Sequence, residues 1–301
     1  MALKTNRLLL LLLKLTVSSI LLYIVLSKTG PDLVYSTLKT MNPSAFISAI
    51  ILYLFAQFVS TLRWKLLIPE KINIKRLFSI YLIGSFFNNL LPGLIGGDAV
   101  KGFYLYKKIG RGSLTFASIF MDRYIGFFTL LMICLFAYPF GYPYIKDSPL
   151  IWTFPIILLI FTIASLLFFG LRLGSGLTVL SEFYNYFHSY KDKKGLIIKA
   201  ILLSLIIQIS GILSVYILAS GLGKHIPFLA CLIFLPLIIM FTAVPISISG
   251  IGVREGAFVL FFGLIGIKPD VATAISLSWF LTGVTVNLIG LVEYLRYRSE
   301  L

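Results

Sequence analysis

Charged side chains stand inside long apolar stretches of this sequence, where they are costly to keep. Asp122 and Arg123 lie well inside the apolar run 113–138, and Arg254 and Glu255 follow a glycine-rich interruption. Charged groups in such places are rare, and they usually pair with one another or mark a substrate or ion pathway. These residues are therefore candidates for a transport site. For Asp122 and Arg123, the alternative is an ion pair between helices that only holds a bundle together.

A second group of polar residues brackets an interruption by glycine and proline. Asn88 and Asn89 precede it, and Asp98 and Lys101 follow it. A helix that begins after such a break exposes unpaired N–H groups and the positive end of its dipole, an arrangement that binds phosphate. We expect half-helices to begin near Asp98 and near Val253. Asp98 as an ordinary helix cap, and the asparagines as partners of the broken backbone, remain open alternatives.

Arg63 and Trp64 stand just past the apolar run 44–61. Trp beside basic residues is a common anchor where a helix leaves the membrane. A role in gathering lipid headgroups at the cytoplasmic surface is the functional hypothesis for the same two residues.

The elements that must position these residues are membrane helices. Apolar residues make up 59% of the chain and charged residues 12%, and the mean hydropathy is +1.00. Long continuous apolar runs in lipid must form helices, because every backbone polar group has to be paired internally. Six segments have the length and polarity of full spans. They are 8–27, 44–61, 113–138, 149–171, 196–220 and 271–295.

The charge distribution predicts how the chain crosses the membrane. Two further apolar segments, 77–108 and 228–265, are broken by glycine and proline. If both are re-entrant hairpins, the cytoplasmic pieces hold 17 Lys and Arg and the outer loops hold five. This bias predicts cytoplasmic N- and C-termini in the cell (inner, cytoplasmic) membrane. An amphipathic pattern over 176–190 predicts a helix on the cytoplasmic interface.

The net charge of +15 belongs to short loops beside apolar spans, so it indicates contact with anionic lipid. We expect no nucleic-acid partner. Cys134 and Cys231 lie in apolar runs without a ligand spacing, so we expect no metal site and no cofactor.

The two breaks align with each other at an offset of 153 residues. The alignment pairs Pro92 with Pro245, Gly97 with Gly250, Val100 with Val253 and Lys101 with Arg254. Each half then has three crossings and one broken hairpin, which predicts an inverted repeat of halves 1–140 and 141–301 within a single membrane domain, 1–301. Paired broken helices are the usual sequence indication of a transporter's central site. The glycines that shape the breaks are Gly96, Gly97, Gly250 and Gly252.

These motifs resemble one family. The run Phe87–Gly93, followed by Gly96, Gly97, Asp98 and Lys101, is similar to the central motif of the lysylphosphatidylglycerol synthase transmembrane region. Three more signatures resemble that family: Asp122-Arg123 with Gly126, Pro245–Ser247 with Gly250, Gly252, Arg254 and Glu255, and the weaker Leu62–Trp64. The resemblance covers nearly the whole chain. Leu94-Ile95 departs from a pattern that is often richer in glycine, which indicates a less open turn.

The resemblance implies a flippase-like domain with two re-entrant hairpins, which moves aminoacylated or other anionic lipids between leaflets. In bifunctional relatives, a separate soluble domain transfers lysine from its tRNA to phosphatidylglycerol. These 301 residues contain no such domain, so we expect no synthase activity from them.

The first hypothesis is therefore a lipid transporter, with Lys101, Arg123 and Arg254 neutralising a headgroup phosphate while Asp98, Asp122 and Glu255 bind a cationic aminoacyl group or a coupling proton. One alternative is an intramembrane enzyme acting on a lipid-linked substrate, with Asp122 or Glu255 as the base. Another is a non-transporting partner subunit of a lipid- or glycolipid-modifying enzyme. The expected partners are the bilayer, a phospholipid or lipid-linked substrate, and a modifying enzyme or a second copy of the chain.

Overall fold

A computed structural model of the chain describes residues 2–90, 95–171, 184, 194–244 and 246–299, and every regular element in these ranges is helical. Residues 91–94 and Pro245, at the two breaks, lie outside the described residues. The same is true of the expected interfacial helix 176–190, apart from Tyr184.

The α-helices follow one another in this order: α1 Ala2–Thr29, α2 Pro31–Lys39, α3 Pro43–Leu66, α4 Ile74–Leu90, α5 Ile95–Ile109, α6 Gly112–Gly141, α7 Thr153–Gly170, α8 Lys194–Gly221, α9 Phe228–Ala243, α10 Val253–Gly263 and α11 Pro269–Ser299. Two 3₁₀ segments, Tyr142–Tyr144 and Pro149–Trp152, lie between α6 and α7.

Five segments are long and apolar enough to cross a membrane: Pro43–Leu66, Gly112–Tyr144, Pro149–Gly170, Lys194–Gly221 and Pro269–Arg296. They coincide with five of the six expected spans. The sixth, 8–27, lies within α1, which meets α2 at an 80° bend around Gly30. Gly30 has φ +78°, a value that glycine adopts without strain. The prediction of an all-α multi-pass membrane protein is confirmed.

Both interrupted segments form two helices that pack on each other, α4 with α5 and α9 with α10. In the first pair, the amide N–H of Gly97 donates to Asn88 Oδ1 at 2.9 Å. One turn farther from the break, Gly84 faces the side chain of Lys101. The two arms of α4 and α5 therefore fold back along each other. Their re-entry to one side of the bilayer, and the inverted repeat, stay predictions.

Helix α11 contacts both hairpins. It packs against α3, α4 and α10. Gly290 lets the α11 backbone approach the Leu82 carbonyl of α4. A Cβ added at Gly283 would lie 3.5 Å from the Tyr53 ring of α3. Small residues allow such close approach between membrane helices. Helix α11 thus packs closely against α3 and against an arm of each hairpin.

Candidate functional site

The two helix breaks meet in space. The hydroxyl of Ser249, in the second break, donates to the backbone carbonyl of Asn88, in the first, at 3.1 Å. The second break is also held by α1, because the amide of Ile248 donates to the buried Ser18 Oγ at 2.8 Å. The two breaks therefore lie side by side in the described residues, and their use as one functional site stays a prediction.

A cavity of about 360 Å³ lies where they meet. The described residues that line it are Tyr53, Gln57, Tyr81, Ser85, Asn88, Asn89, Lys101, Arg123, Ile239, Thr242, Ala243, Val244, Ser247, Ser249, Gly250, Arg254, Trp279, Phe280, Gly283, Val284 and Asn287. Both hairpins contribute to this wall, together with α3, α6 and α11.

Two of its three cations share one carboxylate. Asp98, in the first turn of α5, accepts from Arg123 Nε at 2.7 Å and from Arg123 Nη2 at 3.0 Å. Lys101 Nζ lies 2.9 Å from Asp98 Oδ1, the oxygen that also accepts from Arg123 Nη2. The ammonium also stands 4.4 Å from the centre of the Tyr81 ring, within the range of a cation–π attraction. Because α5 begins at Ile95 and not at Asp98, the carboxylate binds these cations rather than capping the helix.

The third cation, Arg254, is paired with its neighbour. Its Nε lies 3.0 Å from Glu255 Oε1, and its Nη2 also contacts that oxygen. Ser276 on α11 donates to the same oxygen at 3.1 Å. The other oxygen, Glu255 Oε2, accepts the amide N–H of Gly252 at 2.6 Å. Glu255 therefore caps α10, which begins at Val253 as expected, and fills part of the anion site at that helix end.

The charges around the cavity do not cancel. Lys101, Arg123 and Arg254 face two carboxylates, Asp98 and Glu255, which leaves a formal charge of +1. The side chains of Lys101 and Arg254 are almost fully buried. Asp98 and Glu255 stand behind the cations and do not line the cavity. A surplus positive charge in such a site is compensated most simply by a bound anion.

Asp122 and Arg123 point to different partners. Arg63 Nε donates to Asp122 Oδ1 at 2.8 Å, and Arg63 Nη1 donates to Ser204 Oγ of α8 at 2.8 Å. This buried cluster joins α3, α6 and α8 outside the cavity. Asp122 thus fits the helix-joining alternative, whereas Arg123 faces the cavity.

Arg63 and Trp64 are not at the surface, in contrast to the interfacial position expected from the sequence. Arg63 is 5% exposed and Trp64 is fully buried. The indole N–H donates to Ser118 Oγ at 3.2 Å. Their partners on α6 and α8 draw both side chains inside the bundle. This burial does not favour a role in gathering headgroups.

The glycines at the breaks permit close backbone contacts. A Cβ on Gly97 would meet the Gly84 carbonyl, and one on Gly252, at φ +83°, would meet the backbone of α1 at Leu22 N, 2.9 Å away. Gly250 has φ +74° and lines the cavity. Gly96 lies in the first turn of α5 and is not among the lining residues.

Apart from Asn88 and Asn89, the uncharged part of the wall was not expected from the sequence. Gln57 and Asn287 lie in predicted spans, where a polar amide is itself an indication of function. Ser85 Oγ donates to Gln57 Oε1 at 3.2 Å, and Gln57 Nε2 donates to Asn287 Oδ1 at 3.5 Å. The sequence held this signal, but only the packing of α3, α4 and α11 brings the three side chains together.

Comparisons with known proteins agree with the membrane fold. The family profile described as lysylphosphatidylglycerol synthase TM region matches residues 11–290. A UPF0104 membrane protein of Methanocaldococcus jannaschii is 28% identical, with 96% of this chain and 97% of the relative covered. A second UPF0104 membrane protein, from Methanothermobacter thermautotrophicus, is 23% identical over 81% of this chain and 82% of the relative.

Proposed function

We propose, from the premise that this chain belongs to the family of the lysylphosphatidylglycerol synthase TM region, that it moves an anionic lipid between the two leaflets. The headgroup would enter the cavity between the two helix breaks while the acyl or prenyl tails stay in the bilayer. The observation that carries this proposal is the surplus charge of +1 in a cavity shared by both breaks.

The charge favours a monoanion such as a phosphodiester. Arg123 and Lys101 compete for one carboxylate, so a phosphate oxygen can take the place of Asp98 as a partner of either cation. Bonds between guanidinium and phosphate are short and frequently bidentate. Binding would therefore exchange one ion pair for another without exposing a buried cation, which keeps the barrier for entry low.

The arrangement of charges favours transport over catalysis by the carboxylates that the sequence put forward as bases. Asp122 is held by Arg63 in a cluster away from the cavity. Glu255 is bound by Arg254, Ser276 and the Gly252 amide. Neither carboxylate is among the described residues that line the cavity.

We propose that the chain lies in the cell membrane with both termini in the cytoplasm. Halves 1–140 and 141–301 would form one domain with an inverted repeat. The basic loops support it, since Lys and Arg are enriched on the cytoplasmic side of membrane proteins.

Reconstitution tests the proposal. Purified protein in liposomes that contain phosphatidylglycerol with an acyl-chain fluorophore should raise the rate at which dithionite quenches lipid from the inner leaflet. Phosphatidylcholine with the same fluorophore is the control, and it should move more slowly because its choline cation opposes the site charge. Rates equal to those of protein-free liposomes for both lipids would reject the proposal.

A further inference from the structure

We propose that the uncharged wall of the cavity, made of Tyr53, Gln57, Ser85 and Asn287, binds the hydroxyl groups of a polyol headgroup. The substrate would be a phosphodiester lipid with a glycerol, inositol or sugar headgroup, and not a lipid with a cationic aminoacyl group. This inference rests on the proposed function for its transport role, but the binding preference is tested separately.

The charged and the uncharged polar groups of the cavity lie on different helices. The cations come from α5, α6 and α10, whereas the uncharged wall comes from α3, α4 and α11. The phosphate of a lipid would therefore face one set of helices and the rest of the headgroup the other set. A phosphodiester joins a charged centre to a second alcohol, and the two walls match that order.

The wall retains unused hydrogen-bonding capacity. Gln57 accepts from Ser85 and donates to Asn287, and each end of its amide can form one more hydrogen bond, which Tyr53 and a ligand can share. The Tyr53 hydroxyl lies close enough to interact with both Gln57 and Asn287. Amide and hydroxyl groups that can both donate and accept are suited to the hydroxyls of a polyol, which also do both.

A further hydroxyl in the cavity has no partner in the described part of the chain. Ser247 is 3% exposed and lines the cavity, and its Oγ makes no hydrogen bond there. A buried polar group without a partner is costly. A ligand hydroxyl or phosphate oxygen at this position would satisfy it.

A cationic headgroup lacks a counterpart in the same wall. The lining residues in the described ranges include no Asp or Glu, and the remaining break residues, 91–94 and Pro245, contain no acid in the sequence. A lysyl ester adds two ammonium groups to phosphatidylglycerol, so it would bring positive charge into a site that already carries +1. Like charges in a weakly screened interior repel strongly.

Thermal unfolding of the detergent-solubilised chain tests the preference directly, because a ligand that binds the folded state raises Tm. The probes are dihexanoyl forms of phosphatidylglycerol, phosphatidylmethanol and lysylphosphatidylglycerol. Phosphatidylmethanol keeps the anionic phosphodiester but has no headgroup hydroxyl. We expect apparent affinity to be about three- to tenfold higher for phosphatidylglycerol than for phosphatidylmethanol, the value of one or two hydrogen bonds, and lowest for the lysyl lipid.

The variants Gln57→Met and Asn287→Leu should each bring the ratio of phosphatidylglycerol to phosphatidylmethanol affinity close to one. Gln208→Leu is the matched control: its amide donates to the Gly126 carbonyl at 3.3 Å and does not line the cavity. The control should keep the wild-type preference. Either of the two cavity variants suffices if the other does not fold.

Equal affinity of the wild-type chain for phosphatidylglycerol and phosphatidylmethanol, or tightest binding of the lysyl lipid, would overturn the inference. The same three lipids with an acyl-chain fluorophore are then compared for transport in liposomes. A binding preference without movement would reject the proposed transport and leave the polyol site standing. If both anionic lipids bind with equal affinity and move at the same rate, the polyol site is rejected and the proposed transport stands.

Discussion

Ser249 and Asn88 are 161 residues apart in the chain and are joined by a 3.1 Å hydrogen bond from the serine hydroxyl to the asparagine carbonyl. Among the described residues, this bond joins the two helix breaks directly. It satisfies a carbonyl that the end of α4 leaves without a helical partner. The two breaks therefore support one another and enclose a single polar cavity instead of forming two separate defects.

Replacing Arg123 with Gln should slow phosphatidylglycerol movement at least about tenfold, the value of a lost charge-assisted contact, while the protein stays folded. The reason is that Asp98 keeps Lys101 as its partner, whereas the surplus positive charge disappears. Arg123→Lys retains the charge and should keep much of the rate. Liposome transport, normalised to folded protein, measures both. Wild-type rates in Arg123→Gln would exclude the cavity charge from the mechanism.

The Arg63–Asp122 pair should act on stability and not on transport. Asp122→Asn leaves Arg63 buried without a counter-ion, which costs about 3–5 kcal/mol. The double variant Arg63→Met, Asp122→Leu should recover much of that loss, because it replaces the pair with apolar side chains of similar volume. Thermal unfolding in detergent reports the loss and its recovery. A stable single variant that fails to transport would instead move this pair into the functional site.

Glu255→Gln should destabilise the protein as well as slow transport. The carboxylate is fully buried, binds Arg254 and caps α10 through the Gly252 amide. Breaking a buried pair costs about 3–5 kcal/mol, and the amide can still accept the capping bond. Combining it with Arg254→Met should restore stability but not transport, because a cavity cation is gone. Tm and liposome rates are compared across the three proteins.

Gly97→Ala should loosen the first hairpin. A Cβ at this position would meet the Gly84 carbonyl and the Asn88 amide, and overpacking of this kind costs about 1–3 kcal/mol. Gly211→Ala on α8 is the control, since an added Cβ there meets nothing within 4 Å. The control should unfold at or above the wild-type temperature. Equal Tm values for wild type and Gly97→Ala would show that the arms of α4 and α5 are not held at this distance.

Single-cysteine labelling tests the proposed topology, after Cys134 and Cys231 have been replaced by alanine. Lys146→Cys and Lys268→Cys should react with a membrane-impermeant maleimide from outside the cell, and Lys107→Cys only after the membrane is opened. All three positions are exposed, so burial does not hide them. Labelling of Lys107→Cys from outside would mean that α4 crosses the bilayer fully, and the inverted repeat would be lost with it.

The sequence by itself determined the helical membrane fold and the places of the two breaks. Apolar runs leave the backbone no alternative to helices in lipid, and glycine and proline are the residues that interrupt them. The spans 44–61 and 271–295 correspond closely to helices α3 and α11. Lys101, Arg123 and Arg254 were recognisable as cavity candidates because a charge in an apolar run requires a reason.

Only the tertiary structure decided which charges pair. Asp122 and Arg123 are neighbours in sequence, yet one contacts Arg63 and the other contacts Asp98. Successive residues on a helix point about 100° apart, so adjacent side chains face different neighbouring helices. The hydroxyl and amide wall also depends on packing, because Gln57, Ser85 and Asn287 come from three helices. A sequence shows that a polar group is present in a span, and the arrangement of the helices determines what it contacts.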